Sequence, residues 1–158
     1  MNILVLDVGT TSMRCILFDE TGSELAQASV LTQPIADPAR GTMEQEPAVY
    51  LKAASEICRE IAQGHSIDAI SVTAFRSAPA LVDRSGNALC NFIMWQDTRN
   101  AKICRSLKRY DAQVYQTCGA AINTVFAATK LTWMKENMPE IYRTAYKAMI
   151  VPDFILHF

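Results

Sequence analysis

The segment Leu6-Asp7-Val8-Gly9-Thr10-Thr11-Ser12-Met13-Arg14 constrains this chain more than any other stretch. It joins two apolar, β-rich runs, Asn2 to Leu6 and Arg14 to Phe18, so the chain opens by turning one strand back on itself. Between them, Asp7 to Ser12 reads as a tight polar turn. Gly9 lets the backbone bend sharply and approach a ligand with no side chain in the way. Thr10, Thr11 and Ser12 add three hydroxyls and successive amide N–H groups, the elements of a nest for phosphate oxygens. Asp7, at the end of a strand read as buried on both faces, is placed to meet a hydrated Mg²⁺ ion bridging such phosphates. Arg14 offers charge-assisted contacts to the same groups. An ordinary hairpin uses these residue types too. The segment is not a Walker loop, because no G-x-x-x-x-G-K-[ST] string occurs and no helix follows directly.

Downstream, Asp19-Glu20-Thr21-Gly22 signals a second hairpin turn, and Glu24 to Leu31 a third strand, giving an antiparallel meander. Residues 33 to 46, with Pro34, Pro38 and Gly41, read as an extended loop. A helix is predicted from Pro47, with Val49, Ala53, Ile57 and Ile61 at helical spacing up to Gly64. Strands are predicted at Ile67 to Thr73, Ala80 to Val82 and Asn91 to Trp95, with a strong turn over Asp83-Arg84-Ser85-Gly86-Asn87. Helices are predicted over Thr98 to Lys108, Ala112 to Gln116 and Val125 to Asn137. A strand then covers Lys147 to Val151, and Pro152 opens a last helix. That helix carries Phe154, Ile155, Leu156 and Phe158 with nothing after it, so the chain is expected to be part of a longer protein. The apolar residues of 152 to 158 are expected to pack against a second copy, as a homodimer.

Composition narrows the partners. Fifteen basic residues stand against 16 acidic ones, for a net charge of -1. A nucleic-acid footprint would need a clustered basic excess. Cys15, Cys58, Cys90, Cys104 and Cys118 form no CxxC pair, and they read as buried, reduced core residues of a cytoplasmic protein. No run approaches the roughly 20 apolar residues of a membrane span, and the start lacks the basic leader and apolar core of a signal peptide.

Two further constellations carry chemistry. Ser71-Val72-Thr73-Ala74-Phe75-Arg76-Ser77 is a strand leading into a loop that presents Arg76 and Ser77. Ile93-Met94-Trp95-Gln96-Asp97-Thr98-Arg99 sets an aromatic plate beside an amide and a carboxylate, groups suited to the C–H face and the hydroxyls of a sugar. Trp95 also reads as a core tryptophan, and Asp97 as the N-cap of the helix from Thr98.

With these residues in this order, the chain resembles the N-terminal domain of the FGGY carbohydrate kinases. The resemblance rests on Asp7 to Ser12, Thr73 to Ser77 and Trp95 to Arg99. Weaker echoes lie at Gly41 to Pro47, Ala128 to Leu131 and Pro152 to Ile155. It covers residues 1–158 as one incomplete domain.

The resemblance implies an α/β, actin-like (ribonuclease-H-like) fold with a mixed sheet and helices on both faces. It also implies phosphoryl transfer from ATP with Mg²⁺ to a sugar or polyol hydroxyl. By resemblance, Asp7 serves the metal, and Gly9, Thr10, Thr11, Ser12 and Arg14 hold the nucleotide phosphates. Arg76, Ser77, Trp95, Gln96 and Asp97 line the substrate pocket. The general-base aspartate and the glycines that hold adenine fall in the second half of such kinases. The 158 residues alone are therefore expected to bind weakly and not to turn over.

Departures from the family narrow the substrate. Phe75-Arg76-Ser77 replaces the Gln-Arg-Glu of glycerol kinases, and Val125 replaces their substrate tyrosine. Arg76-Ser77 also replaces the Met-His of xylulokinases. Two rival readings remain open from the sequence: an actin-like ATPase without a sugar substrate, and a non-catalytic binding module.

Overall fold

The computed structural model describes all residues, Met1–Phe158, and the chain divides into two units. The first comprises Met1–Pro34, Glu46–Arg76 and Val151–Phe158. Its sheet contains β1 (Ile3–Val8), β2 (Ser12–Phe18), β3 (Glu24–Leu31) and β6 (Ala69–Ala74), in the order β3-β2-β1-β6. The meander β1-β2-β3 is antiparallel, and β6 adds to the other side of β1 in parallel.

Side chains alternate across this sheet. Leu4, Leu6 and Val8 of β1 and Met13, Cys15 and Leu17 of β2 are buried, whereas Ile3, Val5 and Asp7 are half-buried. The expected burial of β1 on both faces is thus corrected: one face is closed and the other partly open. Helix α1 (Pro47–Ala62) lays Tyr50, Ala53, Ile57 and Ile61 against β2 and β3. These residues recur every three or four positions, the helical period, and each large one contributes about 1.5–3 kcal/mol by burial. The final helix, α6 (Val151–His157), packs on β6 and α1 and leaves Leu156 and Phe158 exposed. Between β2 and α1, the Cys15 and Cys58 sulfurs lie 3.7 Å apart as free thiols, and burial pushes the Cys15 thiol up to about 12.

The second unit comprises Ile35–Gln45 and Ser77–Ile150. Here β4 (Ile35–Asp37), β5 (Thr42–Gln45) and β8 (Phe92–Ile93) form an antiparallel sheet, and β7 (Pro79–Val82) pairs with β9 (Lys147–Ile150). Helices α2 (Ala101–Ser106), α3 (Asp111–Cys118), α4 (Ala127–Asn137) and α5 (Pro139–Thr144) complete it, with one 3-10 turn at Lys108–Tyr110. Leu81, Ile93 and Met134 centre its apolar core, with Leu131 and Trp133 packed around them.

Several expectations are revised here. The predicted loop at 33 to 46 is a hairpin, because Asp37 accepts the Ala39 and Arg40 amides and β5 finds a distant partner in β8. Only Phe92–Ile93 of the predicted 91-to-95 strand is paired. Helix α2 starts three residues later than expected. The Asp97 carboxylate instead accepts the Arg99 amide, and Thr98 bonds back to the Gly41 carbonyl. Asp97 is therefore not a helix N-cap. Cys118 is exposed rather than buried, at the end of α3 where Gly119 turns with φ 71°. No helix is long and apolar enough to cross a membrane.

Candidate functional site

The β1–β2 turn is tighter than the sequence suggests. Strand pairing continues through Asp7 and Val8 on one side and Met13 and Arg14 on the other, so the turn proper is Gly9 to Ser12. The Gly9 amide donates to the Ser12 carbonyl at 2.9 Å. A Cβ on Gly9 would lie 2.7 Å from that same carbonyl oxygen, so only glycine closes this turn without moving backbone. Thr11 is exposed, Thr10 and Ser12 are half-buried, and the Thr11 carbonyl accepts the Thr32 amide. Asp7 and Arg14 sit directly opposite in the register, and Arg14 Nη2 donates to Asp7 Oδ2 at 2.6 Å. The structure therefore couples two residues that the sequence had assigned separately. Asp7 Oδ1 remains uncommitted, which fits a hydrated divalent cation.

Because β6 runs parallel to β1 with Val8 opposite Ala74, both chains leave the sheet at the same end. The Phe75 amide bonds the Val8 carbonyl at 3.2 Å, and the exposed Arg76 follows. Ligand crevices of α/β sheets lie at the carboxyl ends of adjacent strands, and here the hydroxyl-rich hairpin and Arg76 share that end. Ser77, next in the chain, is the sole non-glycine residue with positive φ, at 69°. A left-handed serine costs energy that surrounding structure must hold.

In the second unit, Trp95 is 39% exposed, so it is a surface plate rather than a core residue. Asp97 faces the other way. It is fully buried, and its oxygens accept from the Met43 amide (2.7 Å), the Arg99 amide (2.9 Å) and the Arg99 guanidinium (2.8–3.0 Å). Its carboxylate is thus spent inside the protein, on the Met43 and Arg99 groups, and does not lie open for the substrate contact expected from the sequence. Gln96 lies between these two, half-buried.

A family model described as the FGGY family of carbohydrate kinases, N-terminal domain, matches residues 2–158. The chain belongs to this family. Among curated proteins it is 37% identical over 152 residues to the glycerol kinase of Halorhodospira halophila, covering 90% of the chain and 30% of that protein. Among solved structures, a gluconate kinase and a ligand-bound xylulose kinase, both from Lactobacillus acidophilus, each superpose with a TM-score of 0.91 at 26% identity. Both matches cover 98% of the chain and 32% of the other. The FGGY chain thus spans about a third of the length of the relatives it matches. The α/β, actin-like fold class read from the sequence is the one these neighbours share.

Three polar residues of this FGGY domain escaped the sequence reading. Arg99, read only as part of a motif, is the hub of unit two. It grips Asp97, bonds Glu44 Oε1 at 2.7 Å and stacks 4.8 Å over the Trp133 ring. Burial works against its charge, but the hydrogen bonds it donates to Asp97 and Glu44 outweigh this and leave its pKa raised. Asn100 is buried and donates to the Thr124 carbonyl and the Thr129 hydroxyl.

Lys130, within a weak echo of the family pattern, is fully buried and donates to the carbonyls of Thr124 and Val125 at 2.7 Å each. Together with Asn100 it pins the loop ahead of α4, which explains why that helix begins at Ala127 rather than Val125. Nothing in the sequence marks this lysine as buried, and lysine is rarely placed inside without a task.

Burial pushes the Lys130 ammonium from 10.5 down to about 8, the nearby Asp97 charge offsetting only part of that effect. Between these pH values the unfolded chain holds a proton that the folded one has released. Stability therefore rises with pH over the interval, and the cost of a charged Lys130 is fully felt below it. The neutral amine keeps both donors. In urea unfolding, the free-energy difference between wild type and Lys130→Met should shift in favour of wild type from pH 8 to 10.5. The expected shift is on the order of 3 kcal/mol, and a pH-independent difference would refute the assignment.

Proposed function

We propose that the full-length protein is a kinase that transfers the γ-phosphoryl group of Mg·ATP to a hydroxyl of a sugar or polyol. The observation that carries this is the meeting of the Gly9 hairpin and Arg76 at one end of the β1–β6 pair, in a chain of the FGGY family. Asp7 would hold Mg²⁺, which when bound neutralises charge on the phosphates. Thr10, Thr11, Ser12 and Arg14 would hold those phosphates. Arg76 and Ser77 would orient the acceptor, Trp95 would stack on it, and Gln96 would bond its hydroxyls, with Asp97 holding their segment from behind. These residues work by positioning and charge compensation, which phosphoryl transfer mostly requires. Phe75-Arg76-Ser77 and Val125 argue against glycerol as the acceptor, and Arg76-Ser77 against xylulose. A cytoplasmic location accords with five free cysteines.

ADP release by the full-length protein, with Mg·ATP and a panel of pentoses, hexoses, ketoses and polyols, tests the reading. Release stimulated by one acceptor is expected. Arg76→Ala should then lower kcat/KM for that acceptor by about 10–100-fold, the worth of a charge-assisted hydrogen bond. Steady release indifferent to every acceptor would overturn the reading in favour of an actin-like ATPase.

A further inference from the structure

We propose that Cys15 and Cys58 form an oxidation site, at which hydrogen peroxide joins the two thiols in a disulfide that fastens α1 to β2 and that a thiol reductant reopens. Cys15 lies on β2 and Cys58 on α1, two elements packed together within the first unit. Their sulfurs stand 3.7 Å apart although 43 positions separate them in the chain. A disulfide brings its sulfurs to about 2.05 Å, so each has to move by roughly 1 Å, which side-chain rotation supplies. Cys90 and Cys118 meet backbone groups instead, the Leu81 amide and the Val114 carbonyl.

Burial sets the order of events. Cys15 is fully buried and Cys58 half-buried, so the oxidant reaches Cys58 first. The Cys58 sulfur attacks the O–O bond of the peroxide. One oxygen stays on sulfur as a sulfenic acid, and the other leaves as water with the thiol proton. The Cys15 sulfur then displaces the hydroxyl group of that sulfenic acid, and its own proton departs with the hydroxyl as a second water. Two thiols thus lose two electrons and two protons, and one peroxide is reduced to two waters. Burial, with the neighbouring Cys58, pushes the Cys15 thiol up to about 12, and burial raises Cys58 as well. Both are protonated at neutral pH, so the first step is slow. The second is fast, because the resolving thiol already touches the sulfur it attacks. Side chains alternate along β2, and Cys15 shares the buried face with Met13 and Leu17, away from the exposed Arg14. The bond therefore forms on the face opposite the Asp7–Arg14 pair. It ties α1 to the strand leading out of the Gly9 turn and uses none of the groups assigned to the phosphates.

The test treats the full-length protein with excess hydrogen peroxide, blocks the remaining thiols with iodoacetamide and reads the tryptic peptides by mass spectrometry. The peptides carrying Cys15 and Cys58 are expected to appear joined, lighter by two hydrogens than their sum, and to separate again with dithiothreitol. Closing a loop of this length constrains the unfolded chain, so the thermal midpoint of the oxidised protein should rise by about 5–10 °C and fall back on reduction. Cys58→Ser should abolish both changes, whereas Cys118→Ser, at the exposed thiol, should leave both intact. The peptide map of the wild type alone decides whether the bond forms. Recovery of the two cysteines unlinked, each alkylated or carried on to a sulfinic acid, would overturn the proposal. So would a linked pair found only when urea accompanies the peroxide, or a midpoint that the cross-link leaves unchanged.

Discussion

Asp97→Ala is expected to destabilise the folded chain by about 3–5 kcal/mol, the usual cost of breaking a buried ion pair by removing one partner. The carboxylate is fully buried and receives hydrogen bonds from two backbone amides and the Arg99 guanidinium. Its loss strands a guanidinium that is only 10% exposed and keeps Glu44 as its one remaining carboxylate. It also frees the Met43 amide of β5 and the Arg99 amide that holds the turn ahead of α2. Set against a total stability of about 5–15 kcal/mol for a domain, this is the largest single effect we expect from a polar residue here. Urea unfolding followed by circular dichroism reads it directly. Removing both charges, with Asp97→Leu and Arg99→Met together, should recover part of the loss, since the Arg99 guanidinium is then not left buried without the Asp97 carboxylate. A loss under about 1 kcal/mol for Asp97→Ala, no more than an exposed ion pair is worth, would mean the network does not hold the second unit together.

Asp7→Ala should act in the opposite way, on chemistry and not on stability. The Asp7–Arg14 pair is partly open to solvent, with side chains 33% and 58% exposed, and such pairs are worth about 0–1 kcal/mol. In the full-length protein, loss of the carboxylate that would hold Mg²⁺ should lower turnover by about 100-fold or more, the scale of charge stabilisation supplied through a metal. Arg14→Ala should cost less, because it removes one charge-assisted contact and leaves the carboxylate free. Turnover within threefold of wild type in Asp7→Ala would remove Asp7 from the phosphate site and leave it a cross-strand partner of Arg14.

The two cases show where the sequence was legible. Glu24 to Leu31 could be delimited to the residue, and α1 nearly so, because alternation and helical spacing are local signals between clear turn residues. The Gly9 turn could be found for the same reason. Trp95 and Asp97 could be picked out as a pair, but their opposite directions could not. One is a surface plate and the other a buried acceptor because β5, far away in the chain, brings the Met43 amide to Asp97. The hairpin at 35–45, read as a loop, has too few residues per strand to show a period, and it exists because β8 pairs with it.

By itself, then, the sequence determined the opening meander, α1, the glycine turn and the family, since each depends on neighbours a few residues apart. Only the tertiary structure decided that Asp7 and Arg14 answer each other across two strands and that Arg76 leaves the sheet beside Gly9. It also turned Arg99 and Lys130 inward. A charged side chain carries no mark in the sequence of whether it meets water or a partner. That depends on which distant backbone groups arrive beside it, and whether they offset the cost of taking the charge out of water.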